Sequence, residues 1–268
     1  MAIGDEWFDA FPIRPATEAV DALCESWKEL SRIPLPGFNP EMKEPVLTRA
    51  LKAHVESVTG RNRGLLGMWA AESVINILDP VTAVIREERR NDIVYGWNNE
   101  TTGLQLVFEF KKMSRSSNDR KHYLGPKGLE RFVTGIYSRH QPVAAMVSML
   151  TDPSVDIVPP LKGALATASS VARLRLRRSS SNATFEEPST LFQQAEFDTV
   201  HHRHVSVAPS HGTIRIAHIF LTFGYPITKA NVRTRKRHTK NDGSSTTGPK
   251  ADSAKPTVRT RRPTSRAL

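Results

Sequence analysis

The chain has 268 residues, 38% of them hydrophobic, which is enough for a sizeable core in one large domain with appendages. It holds no run of about 18 apolar residues, and its start, MAIGDEWFDAF, is acidic and aromatic where a secretory signal would be basic and then apolar, so a cytoplasmic protein without a membrane partner is expected. The formal charge of +11 is concentrated at one end: residues 229 to 268 carry 12 Lys+Arg and 2 Asp+Glu, against 26 and 25 in the rest. That segment is rich in Ser, Thr, Pro and basic residues and poor in large apolar ones, so a disordered basic tail is expected over 226–268. Such a tail neutralises phosphates without regard to sequence; a solubilising, ribosome-adhering or localisation role is the alternative.

In chain order, Val20, Leu23, Trp27 and Leu30 give helical spacing over about 17–32, within an N-terminal helical segment assigned to 1–40. Cys24 lies in this stretch as a buried core thiol, and as the one cysteine it excludes an internal disulfide or a multi-cysteine zinc site. A second helix starts near Pro45 and runs to about 58, with Val46, Leu47, Leu51 and Val55 on its buried side and Gly60 and Gly64 beyond its end. Residues 68–78 fit helix and strand equally. Three strands are expected next, TAVIREER, NDIVYGW and LQLVFEFKKM, then a helix over KGLERFVTGIYSR and a strand, VAAMVSML. A basic helix over 161–178 and two extended runs, FDTVHHRHVSV and TIRIAHIFLTF, complete a domain spanning 41–225. This order predicts an α/β fold with helices packed on a central mixed sheet.

The strands at 92–97 and 104–110 read as a hairpin closed by NNETTG. The simplest register pairs Trp97 with Leu104 and brings Asp92 opposite Glu109. Ile93, Tyr95 and Trp97 then share an apolar face with Leu104, Leu106 and Phe108, while Asp92, Val94, Val107, Glu109 and Lys111 occupy the other. Two carboxylates that close repel each other unless a cation lies between them, which points to Mg²⁺ or Mn²⁺. Lys111 beside them can orient or deprotonate a water and offset negative charge.

Asp92, the hairpin, and then Glu109-Phe110-Lys111 resemble the D…(D/E)-x-K signature of the PD-(D/E)xK, or restriction-endonuclease-like, nuclease superfamily, with Asn91 where the signature has proline. The resemblance implies a restriction-endonuclease-like sheet and Mg²⁺-dependent hydrolysis of nucleic-acid phosphodiesters, DNA in particular. It implies that Asp92, Glu109 and the Phe110 carbonyl hold the metal and that Lys111 serves the attacking water. It also makes Glu44 or Glu72 an accessory carboxylate. Lys112, Arg115, Arg120 and Lys121, with His122 and Tyr123 in the same segment after the site strand, are candidate backbone contacts, a solvated loop being the alternative. Two other functional readings stand beside the free nuclease: an effector subunit of a bacterial defence or DNA-processing assembly, and a non-catalytic nucleic-acid-binding or assembly subunit with an inactive core.

His201, His202, His204, His211 and His218 have no cysteine or carboxylate trio at zinc spacing, so they read as surface or satisfied core histidines, His218 as partly buried. Gly125-Pro126-Lys127-Gly128 lacks the length and the Lys-Ser/Thr ending of a phosphate-cradling loop.

Overall fold

The structure, a computed structural model, describes residues 11–78, 82, 85–98, 103–139, 141–152, 154–178, 183–204, 207 and 212–226. The hairpin turn at 99–102, His211 and the basic tail beyond Pro226 lie outside the described residues. Helix α1 (Ile13–Leu30) and helix α2 (Glu44–His54) come first, and α2 continues through a π-helical turn, Val55–Thr59, and a last turn, Gly60–Asn62. Gly64 supplies the positive φ of +68° that turns the chain away, as Gly after a helix commonly does. Strands β1 (Met68–Leu78), β2 (Ile85–Asn98) and β3 (Gly103–Met113) follow, so the ambiguous stretch is a strand and the two runs expected on either side of residue 91 are one long strand. Next come α3 (Ser117–Leu124), α4 (Glu130–Val133), β4 (Val143–Leu150), α5 (Val158–Leu165), α6 (Ala168–Arg173), β5 (Phe197–His202) and β6 (Thr213–Thr222).

The fold is α/β, with six strands in the order β1-β2-β3-β4-β6-β5. The neighbours β1-β2, β2-β3 and β5-β6 are antiparallel, while β3-β4 and β4-β6 are parallel. The hairpin register is the one expected, Trp97 opposite Leu104 and Ile93 opposite Phe108. One sheet face carries Ile93, Tyr95, Leu104, Leu106, Phe108 and Phe110 into a core shared with Leu23, Trp27, Leu47 and Leu51 of α1 and α2. The N-terminal helix is therefore part of the sheet's packing, and Trp27 Nε1 donates to the Thr222 carbonyl of β6 at 2.7 Å. Cys24 is buried in this layer, where burial pushes its thiol up to about 12.

The opposite face is covered as well. Val94, Val107, Met146 and Ile216 pack beneath Tyr123, Leu124, Phe132 and Leu161. A sheet buried on both faces explains why β4, VAAMVSML, reads as a continuous apolar run. The two helices expected over 127–139 and 161–178 are shorter than the sequence indicates. Gly135, with φ +73°, ends α4 after Val133, and the second region divides into α5 and α6. Arg203, buried at the end of β5, donates to the carbonyls of Phe132, Tyr137 and Ser138 and fastens the irregular segment after α4. No helix among the described residues is long and apolar enough to cross a membrane.

Within the second layer a buried polar chain ties α3 to the far strands. His201 Nδ1 lies 2.8 Å from the Leu174 carbonyl, which can only accept, so the proton sits on Nδ1 and Nε2 accepts from Thr199 Oγ1 at 2.7 Å. Thr199 must then accept from His218 Nε2 at 2.9 Å, and Tyr123 OH must donate to His218 Nδ1 at 2.8 Å. Both histidines are fully buried and satisfied, so His218 is more enclosed than its sequence setting indicates. Thr199→Val, nearly isosteric, strands two buried imidazole nitrogens; a loss of about 1–3 kcal/mol in urea unfolding is expected.

Candidate active site

Strand β2 passes between β1 and β3, and both ladders break at Asp92. Its β1 neighbour by register is Glu72, yet the ladder runs from Ala71–Ile93 to Ser73–Asn91 without that pair, and Glu72 has a φ of +49°, rare for a residue with a Cβ. On the other side the β2–β3 ladder begins at Ile93–Phe108, so Asp92 and Glu109, next in register, lie just beyond the paired stretch. Freed from strand pairing, the Asp92 carboxylate accepts the Phe110 amide through Oδ2 at 2.9 Å. The expected proximity of Asp92 and Glu109 is present, in a gap between strands and not on a regular ladder.

Lys111 projects from the same face as Glu109. Its ammonium donates to Glu109 Oε1 at 2.7 Å, to the Phe110 carbonyl at 2.6 Å and to Glu44 Oε1 at 3.2 Å. Glu44 opens α2, and its other oxygen accepts the Lys112 amide at 3.0 Å. Among the sequence candidates, the structure thus brings Asp92, Glu109, Lys111, the Phe110 carbonyl and Glu44 together. Glu72 lines the same pocket, exposed and 4.0 Å from Arg49 Nε. Lys112 lines it too, although its ammonium is held by the Pro40 and Met42 carbonyls at 2.6 and 2.9 Å. Arg115, Arg120 and Lys121 do not line it. Their segment is helical at Ser117–Leu124, capped by Ser116 and braced by Asp119, which accepts from Ser114.

The pocket has a volume of about 560 Å³ and is lined also by His122, a candidate from the segment after the site strand, and by Asn91, Asp119, Lys127, Arg131 and Tyr137, which no sequence motif singles out as site residues. Asn91 is fully buried, and neither its amide nitrogen nor its oxygen has a hydrogen-bond partner. Its one sequence signal is its place directly before Asp92. Tyr137 sits in a segment that reads as helix, and only the tertiary fold brings it here.

Electrostatics place this site under tension. Burial, reinforced by Asp92, pushes the Glu109 carboxyl up to about 8 against the pull of Lys111. Asp92 is likewise raised by burial, opposed by Lys111 and the Phe110 amide. Burial works against the Lys111 ammonium, but Glu109, Glu44 and Asp92 outweigh it and hold its pKa above the usual range.

Two features fit a divalent cation. Glu109 Oε2 is buried without a hydrogen-bond partner, and the Lys111 ammonium already occupies a cation's position against Glu109 and the Phe110 carbonyl. No group of three or more His, Cys, Asp or Glu converges as a metal cluster among the described residues. The donors are therefore two carboxylates and a carbonyl, a set that suits Mg²⁺, which keeps several waters and takes one or two carboxylates from its protein.

No protein-family model, curated protein or solved structure matches this chain.

The raised Glu109 pKa has a signed consequence. Between about pH 4.5 and 8 the folded protein holds a proton that the unfolded chain has released, so in chelator this group's contribution to stability declines as pH rises through that window. Glu109→Gln removes that slope. Thermal melts are expected to show the wild type losing stability relative to the variant from pH 4.5 to 8, and Mn²⁺ restoring it in the wild type alone.

Proposed function

We propose that this protein is a metal-dependent phosphodiesterase acting on nucleic acid, with Asp92, Glu109 and Lys111 as its working groups. The observation that carries the reading is the buried, unpartnered Glu109 Oε2 beside Asp92, with a lysine ammonium on the same carboxylate. Burying Glu109 beside a half-buried Asp92 is costly, and a fold that merely needed a stable strand pair would place apolar or singly charged residues there. Asp92, Glu109 and the Phe110 carbonyl are the groups that would hold Mg²⁺ or Mn²⁺. Such an ion supplies Lewis-acid polarisation of a phosphoryl oxygen and lowers the pKa of a water.

Each residue then has a separate task. Asp92 keeps its orientation through the Phe110 amide and lies against the Glu109 carboxyl. Lys111, kept protonated by its carboxylate neighbours, donates hydrogen bonds, orients a nucleophilic water and offsets charge on the pentacovalent phosphorus. Glu44 holds Lys111 from the helix side and fixes the β3 backbone through the Lys112 amide. The mixed sheet with helices on both faces agrees with the restriction-endonuclease-like reading, and the signature resemblance favours DNA over RNA. An assembly in which a partner releases latent cutting remains part of the proposal, as the source of the otherwise near-neutral domain's access to substrate.

The test is incubation with plasmid, linear and single-stranded DNA in Mg²⁺ or chelator. Wild type is expected to cut in Mg²⁺ alone, and Lys111→Ala and Asp92→Asn to lose at least about 100-fold, the scale for removing one transition-state donor. Cleavage that persists in chelator or in these variants contradicts the mechanism.

A further inference from the structure

The pocket has two chemically different walls. On the β2–β3 side stand the carboxylates just described. On the α3–α4 side stand His122, Lys127 and Arg131, with Tyr137 beneath. Of the other basic groups at this pocket, Lys111 is occupied by Glu109 and Glu44, and Lys112 by two main-chain carbonyls. Asp119, which lines the same pocket, is taken up by the Ser114 amide and hydroxyl, and Glu130, beside Arg131 in the chain, by the Arg173 guanidinium. Lys127 and His122 are exposed, and neither side chain is bound to a partner among the described residues.

This wall is built by a tight turn. The Gly128 amide donates to the Gly125 carbonyl at 2.9 Å, which places Pro126 and Lys127 at the centre of the turn. A Cβ on Gly128 would lie 2.2 Å from the Tyr123 carbonyl oxygen, and one on Gly125 would lie 2.6 Å from that of Lys121. Only glycine lets the turn fold this closely against the end of α3, so Lys127 is held at the pocket mouth by backbone geometry. Arg131 is aimed by two contacts: its Nε donates to the Pro126 carbonyl at 3.2 Å, and its Nη1 to the Tyr137 hydroxyl, with the guanidinium 5.1 Å from the tyrosine ring centre. Tyr137 in turn is fixed by Arg203, which binds its carbonyl. A guanidinium fixed on one edge keeps its remaining donors for a planar or tetrahedral anion.

We propose that Lys127, Arg131 and His122 form a phosphate subsite for the nucleotide next to the one placed at Asp92 and Glu109, so that the substrate is a polynucleotide strand and not an isolated phosphate ester. This rests on the nuclease reading for the identity of the first phosphate. An acidic wall with its cation takes one phosphate and a cationic wall takes its neighbour, which is the charge pattern a strand of successive phosphodiesters fits. The turn that lacks the features of a nucleotide-cradling loop acquires a use as the mount for Lys127.

The experiment measures binding of a fluorescent eight-residue oligodeoxythymidylate to the full chain in chelator, over a series of salt concentrations, so that no cleavage is required. One lost contact to a single strand flattens the slope of log affinity against log salt by about 0.7, equivalent to about fivefold weaker binding at 0.1 M salt. Lys127→Ala is expected to show both changes, Lys127→Arg to bind as the wild type does, and Lys28→Ala, an exposed lysine on α1 away from this pocket, to change neither. Unaltered binding by Lys127→Ala, or an equal loss in Lys28→Ala, overturns the subsite. If the Lys127 effect is present but Mg²⁺ produces no cleavage, the subsite stands and the hydrolytic reading falls.

Discussion

A buried Glu109 beside a half-buried Asp92, where a strand parts from its neighbours, needs a proton or a cation to relieve it, and that requirement organises the site around the two residues. Burial raises both groups, and Asp92 raises Glu109 further, so Glu109 does not ionise cheaply without help. Lys111 supplies that help and is itself held charged by Glu109, Glu44 and Asp92. The compensation is incomplete, since Glu109 Oε2 still has no partner. A fold that maintains such a group has arranged its surroundings for something that binds there.

Packing holds those surroundings on both sides. Beneath one face, α1 and α2 share the core with Ile93, Tyr95, Phe108 and Phe110, which fixes the strands carrying Asp92 and Glu109 and sets Glu44 at the start of α2. Over the other face, Tyr123 anchors the end of α3 through His218, Thr199 and His201, and Arg203 fastens the segment bearing Tyr137. The basic wall and the acidic wall are thus attached to the same sheet by separate devices.

Much of this was legible in the residues, for physical reasons that can be named. The hairpin register followed because any one-residue slip would divide Tyr95 and Trp97 from Leu104 and Leu106, and β4 followed because eight consecutive positions are buried. Lys111 and Glu109 followed from the period of two in β3. What could not be read depends on distant contacts. Helix α3 has only Tyr123 and Leu124 buried, at its end, so SNDRKHYL carries no apolar period to find. The break of both ladders at Asp92, the enclosure of Asn91 and the arrival of Tyr137 depend on how β1, β3 and the α4 segment close over β2, which no local pattern encodes. Arg115, Arg120 and Lys121 follow Lys111 in sequence without lining the pocket, whereas the turn at Gly125–Gly128 brings Lys127 to it.

Whether a divalent cation binds between Asp92 and Glu109 is read most directly by anomalous diffraction from crystals soaked in Mn²⁺. A single strong anomalous peak is expected within coordination distance of both carboxylates and the Phe110 carbonyl, with the Lys111 ammonium withdrawn from that carbonyl. A map with no peak there, and Lys111 still bonded to Glu109 and Phe110 at saturating Mn²⁺, would contradict it.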